Sequence, residues 1–337
     1  MHLLIIKRGA LGDVVRTSYF AATLKQKHGK SSRISWVTSP GAMDLLRFNP
    51  HVDDIWTSFD PARKYEFDHV YSLDDEIDAL EAAAQLNSRS ISGAYLYGGK
   101  PTYTDNSALW FDMGLISRFG KQQADRLKKM NTKSHASIFA KIFDVEKVVP
   151  RFYGDPVLEK WALEAMPKAN YIGLNPYSGG RWPSKELLAS ELDDLIESLL
   201  CSSSPFGNES RFVLLGAGPD YQRNCKLASF KNYDRVEVAN TDDSVLRLSA
   251  VIKRLSYLIS SDSLALHLAI SQSVPFTAFF SPTSAAEIDT WGIGTKITST
   301  TEDYCSYRSN ADNRTITAER IISAIQVNLS ELKSYRF

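Results

Sequence analysis

Cysteine is scarce in this chain of 337 residues: Cys201, Cys225 and Cys305 are the whole complement. The count is odd, the spacing is wide and no CxxC pair exists, which excludes a cysteine zinc site or a disulfide framework as the organising element. Reduced thiols are the simple reading. An excess of one charge is also lacking, since 39 basic residues meet 39 acidic ones. That argues against a nucleic-acid partner, whose basic footprint normally shows in the total. No apolar run approaches the roughly 18 residues needed to span a bilayer. The opening Met1-His2-Leu3-Leu4-Ile5-Ile6 meets Lys7 and Arg8 well short of the about 7–15 apolar residues of a signal peptide. The expectation is a cytoplasmic protein, at most peripheral to a membrane. A GxGxxG run is missing at the first glycine turn, so a nicotinamide enzyme is not indicated.

What is present is an alternation of short apolar runs with longer helical segments. Leu3–Ile6, Ile34–Val37, His69–Ser72 and Ala94–Tyr97 read as strands in the first half. Residues 13–28, 75–85 and 108–119 read as helices. The pattern begins again with strands at Tyr171–Asn175, Phe212–Leu215, Val236–Ala239, Leu258–Ser260 and Phe276–Phe280. Helices are expected at 185–200, 221–229, 245–252, 264–270 and 318–332. Such alternation implies parallel sheets with crossover helices. Pro150 and Pro167 interrupt the pattern. The expected organisation is therefore an α/β chain of two Rossmann-like, doubly wound domains facing an interdomain cleft. The first covers residues 1–160 and the second 161–315, with a last helix in 316–337.

Chemistry-bearing residues gather where strands end. Gly9-Ala10-Leu11-Gly12-Asp13 follows the first strand; the glycines allow close approach to the backbone. Asp13 reads as a helix N-cap or as a carboxylate able to take a proton from a hydroxyl. Spacing leaves both open. Ser178-Gly179-Gly180-Arg181-Trp182-Pro183 offers backbone N–H groups to an anion, with the Arg181 fork beside them; a solvated surface loop is the alternative. Asp220, in Gly216-Ala217-Gly218-Pro219-Asp220, suits a ribose hydroxyl or a helix cap. Ser260-Ser261-Asp262-Ser263 ends a strand at a helix start, a place that suits phosphate, and His267 follows one turn later.

Five stretches stand out along the chain: Leu3–Val15, Asn49-Pro50-His51-Val52-Asp53, Ile172-Gly173-Leu174-Asn175-Pro176 with Arg181-Trp182-Pro183, Ser261-Asp262-Ser263 with His267-Leu268-Ala269, and Phe280-Ser281-Pro282-Thr283. Together they resemble the ADP-heptose:lipopolysaccharide heptosyltransferases, glycosyltransferase family 9. The resemblance implies a GT-B fold and metal-independent, inverting transfer from a nucleotide diphosphate sugar, ADP-heptose among the candidates. It implies no further cofactor, and it implies that the last helix, in 316–337, returns to the first domain. It makes Asp13 the general base and places the donor on Ser178, Arg181, Asp220, Asp262, Ser263 and His267. The acceptor would be a lipopolysaccharide-core or other surface glycan at the cytoplasmic face of the inner membrane.

Two positions depart from the pattern. Gly180 stands where the family carries a lysine, and Leu264 where it carries a glycine. They motivate the alternative of a non-catalytic nucleotide-sugar binder of the same fold. Gly12 belongs to the acceptor side, as do Arg126, Lys128 and Lys129, which would meet acceptor phosphates or anionic lipid if they are more than a solvated face.

Overall fold

The computed structural model describes residues 1–146, 148–167, 170–180, 182–231, 233–241 and 244–334. The chain forms two compact units. One is Met1–Tyr153 with Ala286–Asp289; the other is Gly154–Ala285 with the chain from Thr290 onward.

The first unit carries strands β1 (His2–Ile6), β2 (Arg33–Val37), β3 (Asp54–Trp56), β4 (His69–Ser72), β5 (Ile91–Tyr97) and β6 (Lys100–Tyr103). They lie in the order β3-β2-β1-β4-β5-β6, all parallel except the β5–β6 hairpin. Helices α1 (Leu11–Ser18), α2 (Phe20–His28), α3 (Ile77–Gln85), α4 (Ala108–Phe111), α5 (Lys121–Met130) and α6 (His135–Ile142) accompany them. Leu3, Leu4, Ile5 and Ile6 of β1 are all fully buried. That is why this strand reads as an unbroken apolar run: a central parallel strand is covered on both faces. One face packs Leu4, Ile6, Val37 and Val70 against Ala79 and Ala83 of α3. Elsewhere in the unit an aromatic cluster forms, with Phe20 stacked on Phe143 at 4.6 Å and Tyr71 beside it.

The second unit repeats the plan. Its elements are α7 (Pro156–Ala165), β7 (Tyr171–Asn175), α8 (Ala189–Leu200), β8 (Arg211–Leu214), α9 (Pro219–Lys231), β9 (Val236–Val238), α10 (Val245–Ile252), β10 (Leu255–Ser261), α11 (Leu264–Ser271), β11 (Phe276–Phe280), β12 (Gly294–Thr298) and α12 (Ala318–Ser334). The strand order β12-β11-β10-β7-β8-β9 is, counted from β7, the same 3-2-1-4-5-6 arrangement as in the first sheet. Both are Rossmann-type doubly wound sheets, and each has a topological switch point between its first and fourth strands.

Several expectations are corrected. The helix expected at 13–28 begins at Leu11 and is divided at Tyr19. The stretch expected as helix to 119 is helical only over Ala108–Phe111. The expected interruption near 150–168 contains α7, with Pro156 in its first turn, where a missing N–H costs nothing, and Asp155 accepting from Val157 N. The division of units falls at residue 153 rather than 160. The last helix packs on the second unit's own sheet instead of returning to the first. Ile321 and Ile325 join the core of Ile172, Leu195 and Phe212. Asn328 Nδ2 reaches the Tyr257 hydroxyl at 2.7 Å and the Phe276 carbonyl at 2.9 Å. An apolar stripe closed by a buried, bonded amide is specific to the surface it covers.

Candidate functional site

Chemical groups collect at the carboxyl ends of the strands that flank each switch point. In the first sheet these are β1 and β4. Lys7 directly follows β1, and its ammonium lies 2.8 Å from Asp74 Oδ1, just past the end of β4. The other Asp74 oxygen accepts from Arg8 N at 2.6 Å. Lys7 Nζ is also 3.9 Å from Asp13 Oδ2. Asp13 Oδ1 meets Arg16 Nη2 at 2.8 Å, one helical turn on, and the same nitrogen lies 3.5 Å from Glu287 Oε2.

Burial opposes the Lys7 charge, but Asp74 and Asp13 outweigh it and hold the lysine above its ordinary value. Lys7 is therefore a fixed cation at neutral pH. Burial pushes the Asp74 carboxyl up, with Lys7 pulling the other way. Asp13 is not the helix N-cap. That position is Ala10, with no side-chain bond to the helix. Asp13 sits in the first turn with its side chain 28% exposed, where a carboxylate is favoured by the free N–H groups.

In the second sheet the flanking strands are β7 and β10. Asn175 ends β7, and its amide nitrogen reaches Ser263 Oγ at 2.8 Å and Ser260 Oγ at 3.1 Å. Ser261 Oγ donates to the Tyr177 carbonyl at 2.6 Å. This ring of hydroxyls ties the 176–180 turn to the start of α11. Ser263 is the N-cap of α11, yet its side chain makes no capping bond, because Asn175 engages it. The first N–H groups of an eight-residue helix thus lack the side-chain acceptor that usually serves them.

Beside them Lys185 Nζ meets Asp262 Oδ2 at 2.8 Å and the Asp262 carbonyl at 3.1 Å. Burial pushes the Asp262 carboxyl up, but Lys185 and His267 outweigh it and hold it down at about 2. Gly179 and Gly180 both have positive φ, 78° and 74°, a region costly for other residues. Asp220 Oδ2 accepts from Gly179 N at 2.9 Å, while its Oδ1 faces Arg223 at 3.3 Å. Arg223 in turn lies over the Tyr177 ring at 3.7 Å and pairs with Glu186 at 2.8 Å. Asp220 therefore fixes the glycine turn; it lies within the first turn of α9 rather than capping it.

No family model matches the chain, and no curated protein matches it in sequence. Solved structures do, over nearly the whole length. The E. coli heptosyltransferase WaaC with ADP is 16% identical, with 98% of this chain and 99% of that one covered at a TM-score of 0.64. A glycosyl transferase family 9 protein from Veillonella parvula is 18% identical, with 98% and 97% covered at 0.75. The E. coli ADP-heptose lps heptosyltransferase II is 14% identical, with 99% and 100% covered at 0.68. The chain has the heptosyltransferase fold.

Within this heptosyltransferase fold, Asp262, Ser263 and His267 come together at one strand end, and Asp220 joins Ser178 through the Gly179 turn. Ser178 Oγ is turned back onto the Trp182 carbonyl at 3.0 Å. Arg181 lies outside the described residues. Gly12 is buried beside Asp13 in α1. Arg126, Lys128 and Lys129 all stand on α5, in the same unit as Asp13. Sequence reasoning passed over Lys7, Asp74, Arg16, Asn175 and Lys185. A signal existed for three of them: Lys7, Asp74 and Asn175 are polar residues at or just beyond the ends of apolar strands. Among the described residues no group of three or more His, Cys, Asp or Glu comes together as metal ligands, and no helix is long and apolar enough to cross a membrane.

Proposed function

We propose that this chain is an inverting, metal-independent glycosyltransferase. It moves heptose or a related sugar from a nucleotide diphosphate donor to a lipopolysaccharide-core or other surface-glycan acceptor. The observation that carries the reading is the Asp13 carboxylate, partly exposed at the switch point and set inside the first turn of α1 rather than at its N-cap. Asp13 takes the proton of an acceptor hydroxyl while that oxygen bonds to the anomeric carbon. The bond from that carbon to the diphosphate breaks, and the nucleotide diphosphate leaves with the electron pair.

The second unit holds the donor. Its leaving charge is met by Lys185, by Arg181 and by the N–H groups at the start of α11, acting where the charge develops. Asp262 and His267 hold Lys185 and the helix start in place; Asp220 and Ser178 shape the glycine turn. Lys185 takes the part of the cation that Gly180 lacks. Binding of ADP, recorded for the E. coli enzyme of this fold, supports a nucleoside diphosphate donor. Gly12 with Arg126, Lys128 and Lys129 forms the acceptor side, at the cytoplasmic face of the inner membrane.

The test is thermal stabilisation across a panel of nucleotides and nucleotide sugars. A ligand at about 100 times its Kd adds about 2.7 kcal/mol. A selective shift with one nucleoside diphosphate is expected, followed by transfer that EDTA leaves unchanged and Asp13→Asn lowers by about 100-fold or more. No shift with any nucleoside diphosphate sinks the reading; a shift without transfer to any glycan leaves the non-catalytic binder.

A further inference from the structure

Lys7 and Arg16 both face Asp13, and each also lies near a second, more buried carboxylate. Lys7 lies 3.9 Å from Asp13 but 2.8 Å from Asp74, whose side chain is only 2% exposed. Arg16 lies 2.8 Å from Asp13 and 3.5 Å from Glu287. Asp74 cannot drift toward solvent, because its second oxygen is fixed by Arg8 N at 2.6 Å. The strand order accounts for the meeting: β1 and β4 are neighbours, so Lys7 and Asp74 emerge side by side beyond their carboxyl ends.

A base clamped at short range by both a lysine and an arginine holds its charge but loses its appetite for a proton. A base with no cation nearby, in a partly buried place, fails to stay ionised. The arrangement around Asp13 lies between these limits. We propose that Asp74 is a positioning residue that draws the Lys7 ammonium off Asp13, leaving Asp13 ionised yet able to accept a proton. Arg16 stays in direct contact with Asp13 at 2.8 Å and helps to keep it ionised. The proposal rests on the reading of Asp13 as the proton acceptor.

The other charged groups around this cluster do not replace Asp74. Arg8 is engaged by Asp78 at 2.5 Å. Glu76, on the same connection as Asp74 and Asp75, is pushed up by burial and by Asp74. Removal of Lys7 or of Asp74 should therefore be felt at Asp13.

The experiment is a pH titration of the Asp13 side-chain carboxyl by 13C NMR in the full chain, its signal assigned with Asp13→Asn. Lys7→Met should raise the midpoint and Asp74→Asn should lower it, each by about one pH unit. The second shift follows because the freed Lys7 swings from 3.9 Å to direct contact with Asp13. A purely structural role moves neither midpoint, or moves both alike. Should Lys7→Met fail to fold, Lys7→Gln takes its place, and the midpoint must rise there and fall in Asp74→Asn. An unchanged or raised midpoint in Asp74→Asn overturns the proposal. The two readings fail separately. Opposed shifts with transfer intact in Asp13→Asn would retain the tuning and remove the base. Transfer lost in Asp13→Asn with no shift in Asp74→Asn would retain the base and remove the tuning.

Discussion

Replacing Asp262 by Asn tests the electrostatics of the second switch point. Asp262 and Lys185 have side chains 13% and 18% exposed and meet at 2.8 Å. Burial works against the carboxylate, and the positive groups around it win, holding its pKa at about 2 against an ordinary 3.8. A gap of that size corresponds to about 2 kcal/mol of folding stability at neutral pH. The sign follows from a pKa depressed in the folded state. The stabilisation is complete above the unfolded value and disappears as pH falls through the folded value. Urea unfolding followed by circular dichroism, on wild type and Asp262→Asn, should show a deficit of about 2 kcal/mol in the variant at pH 7. The deficit should hold constant down to about pH 5 and close only below about pH 4. A deficit under about 0.5 kcal/mol at pH 7, typical of a solvated surface pair, would refute the reasoning. So would a deficit that fades between pH 7 and 5, since Asp262 would then be titrating above its ordinary range.

Other substitutions probe other links. Gly179→Ala places a side chain at φ 78°. It should cost about 1–2 kcal/mol and, by disturbing the turn bonded to Asp220, weaken nucleotide binding measured by calorimetry. Asn328→Leu removes the amide that bonds Tyr257 and Phe276; a loss of about 1–3 kcal/mol in chemical denaturation is expected, and no loss would show that the apolar stripe alone holds the last helix. Gly93→Ala sets a methyl carbon 1.8 Å from the Ser72 carbonyl oxygen. The strands cannot part that far, so the variant should fail to give soluble, folded protein on expression; a native circular dichroism spectrum would contradict this.

The buried central strands were legible because burial on both faces demands unbroken apolar runs, as in Leu3–Ile6 and Tyr171–Asn175. Of the four edge strands only β9, expected at Val236–Ala239, was; β3, β6 and β12 were not. β3 has three residues, all half-buried, and β12 has one buried residue in five. The β5–β6 hairpin turns on Gly98 and Gly99, both at positive φ, and its outer strand holds Pro101, which an edge tolerates. Its alternation is too short and too polar to stand out. The expected helix at 108–119 failed because Gly114 interrupts it. The last helix was expected on the wrong unit because periodicity reveals an apolar face but never the surface that receives it.

The sequence by itself determined that two β/α repeats exist, that glycine turns follow their first strands, and that Asp13, Asp220, Asp262, Ser263 and His267 stand near strand ends. Those are local facts, set by propensity and by which residues burial requires. Only the tertiary structure decided which strand ends meet. Lys7 and Asp74 are 67 residues apart, and Asn175 and Ser263 are 88 apart. Each pair is joined because a doubly wound sheet sets its first strand beside its fourth. No local pattern encodes that adjacency. It arises when the crossovers place strands so that both faces of the sheet are covered, and the charges at their ends then find one another.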